Sequence, residues 1–257
     1  MRLLTYRDDD RDRVALEDDG GVLDAAELLG SDSITVRELL SGDRVTELGE
    51  RAAEAGAAPR PAEEVELRPP LPDPDKIVCI GLNYRSHAAE AGIDPPDAPT
   101  IFAKFRNALV PAGANVKLPA ASEKVDYEAE IAFVIGRRCS EVGPGEALEA
   151  VAGYMLFNDL SARDLQFATP QWMPGKVFDG SAPCGPALVT PDESGPHDAI
   201  EFKLELNGET MQEASTSDLV FSVPELISHL SRLMTLEPGD EIVISSPTLG
   251  RLETEIG

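Results

Sequence analysis

Cysteine, histidine, tryptophan and lysine are all scarce in this sequence, with three, three, one and six copies. The cysteines, Cys79, Cys139 and Cys184, are odd in number and far apart, with no C-x-x-C pair or Cys/His cluster. That excludes a disulfide framework and a structural zinc site, and it indicates a reducing compartment. No apolar run approaches the roughly 20 residues that span a bilayer, and Met1 to Arg7 leads into acids rather than a signal-peptide core. The expectation is a soluble, cytoplasmic protein with no membrane partner. Positive charge is the largest deficit: 22 basic residues face 47 acidic ones, a net charge of −25. Such a surface repels nucleic acid and anionic membranes. Acid loading with so few lysines also suggests a halophile-like, salt-adapted cytoplasm, where screening over a few ångströms tames the self-repulsion.

The hydrophobic share, 42%, is that of an ordinary globular protein, and the length suits one large core or a small and a larger domain. Residues 1–70 read as a small N-terminal α/β domain. Leu3 to Tyr6 and Arg13 to Glu17 predict strands, Asp18 to Gly21 a turn into a further short strand, and Thr35-Val-Arg-Glu38 a capping box opening a short helix that stops at Ser41-Gly42. An Ala/Glu-rich segment from Arg44 to Ala58 precedes a proline-rich stretch between Pro59 and Pro74, which sets the expected boundary near residue 70. From residue 71 to 257 the texture changes to short apolar runs: Ile77 to Gly81, Ile131 to Ile135, Ala150 to Phe157, Ala187 to Val189, Phe202 to Leu206 and Glu241 to Ile244. Asn207-Gly208 marks a hairpin, and Ser222-Val-Pro-Glu225 caps a helix with Leu226, Ile227, Leu230, Leu233 and Met234 at helical spacing.

The chemistry concentrates in a few segments. In Asp126-Tyr-Glu128-Ala-Glu130-Ile-Ala-Phe-Val-Ile135, strand alternation puts Glu128 and Glu130 on one face, and the residues beyond them are apolar on both faces. Buried carboxylates are costly without compensation. Asp159 follows another apolar run, and three hard oxygen ligands suit Mg²⁺, Mn²⁺ or Ca²⁺. Of the three histidines, His197 reads as a loop residue and His229 as a helix-surface residue. His87 lies where a buried strand breaks at Gly81, and on a helix it shares a face with Glu90, which can orient the imidazole as a base toward water. Ser161 and Asp164 predict a helix start, with Arg163 in its first turn suited to gripping a substrate carboxylate. Lys176 is a rare lysine in an aromatic, Gly/Pro-rich stretch, with a snorkelling surface role as the plain alternative.

Asn83-Tyr-Arg-Ser-His87-Ala-Ala-Glu90, Phe102-Ala-Lys104, Asp126-Tyr-Glu128-Ala-Glu130, Phe157-Asn-Asp159 through Gln166, and Gly175-Lys176 to Gly185-Pro186 occur in an order that resembles the fumarylacetoacetate hydrolase superfamily over roughly residues 72 to 250. The resemblance implies an α+β, mostly β fold, a mixed β-roll carrying the small N-terminal domain. It implies Mg²⁺ or Mn²⁺ held by Glu128, Glu130 and Asp159, a homodimer, and a small 2-oxo or diketo acid as substrate. Tyr84, Gln166 and Ser246 join Arg163 as expected substrate contacts, and His87, Glu90 and Lys176 as catalytic groups. Where the family closes on substrate with a T-G-T-P-x-G-V-G loop, this chain reads Ile244-Ser-Ser246-Pro247-Thr-Leu249, with leucine replacing a glycine whose backbone freedom the loop uses. Glu253 to Gly257 looks like the start of a closing strand.

The leading expectation is therefore hydrolysis of a carbon–carbon bond in an acylpyruvate-like substrate, with water activated by His87 and Glu90. The same site supports isomerase, tautomerase or decarboxylase chemistry on 2-oxo acids, or dehydration of a sugar acid. From a different class comes a metal-binding protein that has kept the fold without turnover.

Overall fold

The computed structural model describes the whole chain except residues 43, 57, 87–91, 93, 95, 245–253 and 257. At the N-terminus β1 (Arg2–Asp8), β2 (Arg11–Asp18) and β3 (Gly21–Asp24) form an antiparallel meander with the expected turn at Asp18 to Gly21. The helix Val36–Ser41 opens on the predicted capping box: Thr35 N donates to Glu38 Oε2 at 2.8 Å, and Glu38 N donates to Thr35 Oγ1 at 3.2 Å. The Ala/Glu-rich segment is the helix Arg44–Ala55. Short strands β4 (Arg60–Pro61) and β5 (Glu66–Arg68) lead into the proline-rich stretch.

Beyond it come β6 (Ile77–Gly81), β7 (Thr100–Lys104), β8 (Leu109–Pro111), β9 (Asn115–Val116), β10 (Val125–Asp126), β11 (Ala129–Ile135), β12 (Val151–Asn158), β13 (Ser161–Ala162), β14 (Ala182–Cys184), β15 (Leu188–Val189), β16 (Glu201–Leu206), β17 (Glu209–Ser215) and β18 (Glu241–Ile244). Among the described residues thirteen strands join one mixed sheet, whose main path runs β4-β3-β2-β1-β15-β12-β11-β18-β6-β7. Its pairs are antiparallel except β18 with β6 and β14 with β8. The N-terminal strands enter this sheet through Leu3 opposite Leu188 and Arg2 opposite Val189, so hydrogen bonding continues past the proline-rich stretch.

Strand β11 is buried on both faces, as its unbroken apolar run requires. Ile131, Phe133 and Ile135 pack with Leu226, Ile227 and Leu230 of the helix Val223–Leu233, while Ala132 and Val134 face Met155 and the N-terminal Leu3, Leu39 and Leu48. Each such Leu, Ile or Phe contributes about 1.5–3 kcal/mol on burial. This packing fixes the register that matters most: Ala129 lies opposite Asn158 and Glu130 opposite Phe157. The start of β11 and the end of β12 therefore meet at one end of the sheet.

Candidate metal centre

At that end the backbone brings the acidic residues together. Asp159 N donates to Glu128 O at 2.8 Å, Glu128 N donates to Asn158 Oδ1 at 3.2 Å, and Ala129 N donates to Gln212 Oε1 of β17 at 2.9 Å. One carboxylate oxygen from each of Glu128, Glu130 and Asp159 lies within 4.8 Å of the other two. Asp159 is fully buried, whereas Glu128 keeps a quarter of its side chain accessible, which leaves the cluster an opening.

Three cations surround it. Lys176, at the end of the short helix Met173–Lys176, is 2% exposed, which rules out a snorkelling surface role. Its ammonium bonds Glu128 Oε2 and, at 2.7 Å, Asp159 Oδ2, and it sits 4.8 Å from the centre of the Phe102 ring. Lys104, at the end of β7, places its ammonium 2.8 Å from the other oxygen of Asp159. Arg163 holds Glu128 Oε1 at 2.8 Å and Asp126 Oδ2 at 3.0 Å, and donates to Gln166 Oε1 at 3.0 Å. Gly175 makes this assembly possible: a Cβ there would stand 2.5 Å from Ala162 O and 2.6 Å from the backbone nitrogen of Gln166.

The electrostatics separate the carboxylates. Desolvation alone would raise the pKa of Glu128, but the charges of Lys176 and Arg163 outweigh it and hold the carboxyl below its ordinary value. Desolvation pushes Glu130 well above the ordinary value, and the neighbouring charges of Asp159 and Glu128 add to it. For Lys176, burial disfavours the ammonium, yet Asp159, Glu128 and Glu130 together keep its pKa above that of a free lysine. Among the described residues no side chain hydrogen-bonds the Glu130 carboxylate, and Asp159 Oδ1, though in ion-pair range of Lys104, accepts no hydrogen bond. Three convergent hard oxygens, one on a carboxylate that no side chain among the described residues hydrogen-bonds, are a donor set that suits a divalent cation, so the residues present fit a divalent metal.

The structure thus gathers Glu128, Glu130, Asp159, Arg163, Gln166 and Lys176 at one place. Ser161 and Ala162 form β13 rather than opening a helix; the helix begins at Arg163, and Ser161 donates to Glu128 Oε2 at 3.1 Å and Asp159 O at 2.8 Å. Asp164, also expected at the helix start, accepts from Ser122 Oγ and Glu123 N. Tyr84 is buried, and its backbone bridges Leu219. His87, Glu90 and Ser246 lie outside the described residues. Four contributors carried no assigned role in the sequence reading: Asp126, which anchors Arg163; Gln212, which caps the start of β11; Ser181, which accepts from Lys104; and Lys104 itself. Lys104 did carry a signal, the same scarcity of lysine that drew notice to Lys176, whereas a lone glutamine in a polar hairpin carries none.

A mitochondrial oxaloacetate tautomerase of Bos taurus is 39% identical over 232 residues, covering 89% of this chain and 74% of the relative. The crystal structure of maleylpyruvate hydrolase from Sphingobium sp. SYK-6, in complex with manganese(II) and pyruvate, superposes with a TM-score of 0.82 at 26% identity, covering 100% of both chains. That of 5-carboxymethyl-2-hydroxymuconate delta-isomerase from Mycobacterium smegmatis gives a TM-score of 0.78 at 28% identity, covering 100% of this chain and 99% of the other. Residues 76–253 match the family described as "Fumarylacetoacetate (FAA) hydrolase C-terminal". The chain belongs to the fumarylacetoacetate hydrolase family, whose compared members are tautomerases, isomerases and hydrolases.

Proposed function

We propose that this protein is a divalent-metal-dependent isomerase that interconverts the enol and keto forms of a 2-oxo acid at Glu128, Glu130 and Asp159. One observation carries the reading: three carboxylate oxygens converge within 4.8 Å while the Lys176 ammonium bonds two of the same side chains. Glu128, Glu130 and Asp159 would hold a divalent ion, which would supply Lewis-acid stabilisation for negative charge on a 2-oxo oxygen. Lys176, gripped by two carboxylates, acts as a fixed cation beside that oxygen. Arg163 retains one Nη1 hydrogen beyond its bonds to Asp126, Glu128 and Gln166, and we assign this donor to the substrate carboxylate. To His87, with Glu90 as its expected partner, we assign the transfer of the proton between C3 and solvent. The likeness to an oxaloacetate tautomerase and to a delta-isomerase supports the isomerase reading.

A second reading keeps the site and changes the bond. In hydrolysis, water deprotonated by His87 adds to a distal carbonyl, the adjacent carbon–carbon bond breaks, and its electron pair leaves on the pyruvate fragment to be protonated. The maleylpyruvate hydrolase superposition supports it. A homodimer in the cytoplasm completes the proposal, consistent with the three buried free thiols.

The two are separated by following the enol absorbance of oxaloacetate and, by NMR, the products from a panel of 2-oxo and diketo acids. Accelerated ketonisation without cleavage supports isomerisation; an uncatalysed enol decay alongside cleavage of an acylpyruvate replaces it with hydrolysis. Glu128→Gln is expected to abolish Mg²⁺ or Mn²⁺ binding and turnover together, and full metal-dependent turnover in that variant would refute the ligand assignment.

A further inference from the structure

We propose that Lys104 is a positioning residue for the metal centre: it never meets substrate, but it sets metal affinity by fixing Asp159 and the backbone that carries Lys176. The inference rests on the metal reading above. Lys104 is 2% exposed, and its side chain is wholly enclosed. Its ammonium stands 2.8 Å from Asp159 Oδ1, 3.0 Å from Ser181 O, 2.9 Å from Ser181 Oγ and 3.4 Å from Leu160 O, and it also bonds the carbonyl of Lys176. An ammonium has three hydrogens. Four protein oxygens share them, Asp159 adds an ion pair, and none is left for a ligand.

The partners come from three separate segments: the end of β12, the end of the Met173–Lys176 helix, and Ser181 just before β14. Ser181 Oγ closes the ring by donating to Lys176 O at 2.9 Å. The two lysines consequently bracket one carboxylate, Lys104 at Oδ1 and Lys176 at Oδ2. With an ammonium beside each oxygen, one as an ion pair and one as a hydrogen bond, the Asp159 carboxylate is held from both sides. Without Lys104 the carboxylate is free to turn about its last bond, and the Lys176 carbonyl loses one of its two donors.

Charge and position make opposite forecasts. If Lys104 acted only as a like charge near the ion, removing it would tighten metal binding; as a positioning residue, its removal weakens binding. The experiment titrates the full-length protein with Mn²⁺ alone by calorimetry and records the Mn²⁺ EPR spectrum for wild type, Lys104→Met and Lys76→Met. Lys76 pairs with buried Asp240 at 2.6 Å, so its variant controls for general loss of an ion pair. Lys104→Met is expected to weaken Mn²⁺ binding about 10–100-fold, the range for outer partners of metal ligands, and to broaden the EPR signal. Lys76→Met is expected to stay within about twofold of wild type. A folded Lys104→Met that binds Mn²⁺ as tightly as wild type, or more tightly, overturns the proposal.

If circular dichroism shows that Lys104→Met does not fold, Ser181→Ala takes its place, removing the hydroxyl that links Lys104 to Lys176 O. A weakening of about fivefold, the worth of one neutral hydrogen bond, supports the proposal, and unchanged affinity overturns it. Failure of the wild type to bind Mn²⁺ would instead bring down the metal reading beneath it.

Discussion

Gly175→Ala adds one methyl group and should disable the site from behind. Gly175 has no positive φ, so the argument rests on space alone. Its new Cβ would lie 2.5 Å from Ala162 O, 2.6 Å from Gln166 N and 2.6 Å from Gln166 Cβ. Ordinary contacts of a methyl carbon sit near 3.5 Å, so relief requires about 1 Å of movement. Two of the three obstacles are backbone, which cannot swing aside as a flexible side chain does. The helix Met173–Lys176 must therefore move away from β13, and Lys176 moves with it. Its 2.7 Å bond to Asp159 Oδ2 then stretches beyond hydrogen-bond range. Overpacking of this kind costs about 1–3 kcal/mol, roughly 2–12 °C in melting temperature for a chain of this size. Misplacing a charged group by 1 Å costs about 100-fold in turnover. Thermal unfolding and kcat are read side by side with Gly145→Ala as control, since a Cβ at Gly145 meets nothing within 4 Å. A Gly175→Ala protein with wild-type melting temperature and wild-type kcat would refute the reasoning.

Glu241 offers a pH test away from the metal centre. It is fully buried on β18, neither of its carboxylate oxygens has a hydrogen-bond partner, and desolvation, aided by the charge of Asp240, raises its pKa well above the ordinary value. Below about pH 4.3 both folded and unfolded chains hold this proton; as pH rises toward the raised folded value only the unfolded chain releases it, so stability falls across that window. Glu241→Leu should therefore gain more stability at pH 8 than at pH 5 in denaturant titrations, and equal gains would exclude the effect. The net charge of −25 predicts that the urea midpoint climbs from low salt to molar KCl, and an unchanged midpoint at low salt would count against salt adaptation.

Much of the fold was legible because its signals are local. The Asp18 to Gly21 turn, the Thr35 and Glu38 capping box and the apolar run of β11 each state their structure in a few adjacent residues, and all three are present as read. The pairing of β1 with β15 was not legible, since Leu3 and Leu188 meet across the whole chain and no local pattern links them. Ser161 misled for a related reason. Its hydroxyl is a natural helix cap, but two nearby acceptors, Glu128 and the Asp159 carbonyl, draw it into β13 instead.

The site was legible in its acids, in Arg163 and in Lys176, and less so in Lys104. Carboxylates at the start of a buried strand look out of place and invite a question, whereas a lysine at a strand end reads as ordinary solubilising charge. In a chain with only six lysines that default is wrong for Lys104, which is 2% exposed, as is Lys176, the lysine that the sequence did single out. Burying an ammonium is costly unless an opposite charge meets it with good geometry. Asp159 meets both, one oxygen each. The buried aspartate and the two buried lysines thus depend on one another: Asp159 without them is an unpaired charge in the core, Lys104 without Asp159 is the same, and Lys176 would be left with Glu128 alone. Scarcity made that dependence readable in principle. Each rare residue that stands beside an apolar run needs a partner, and here the three partners are the same cluster.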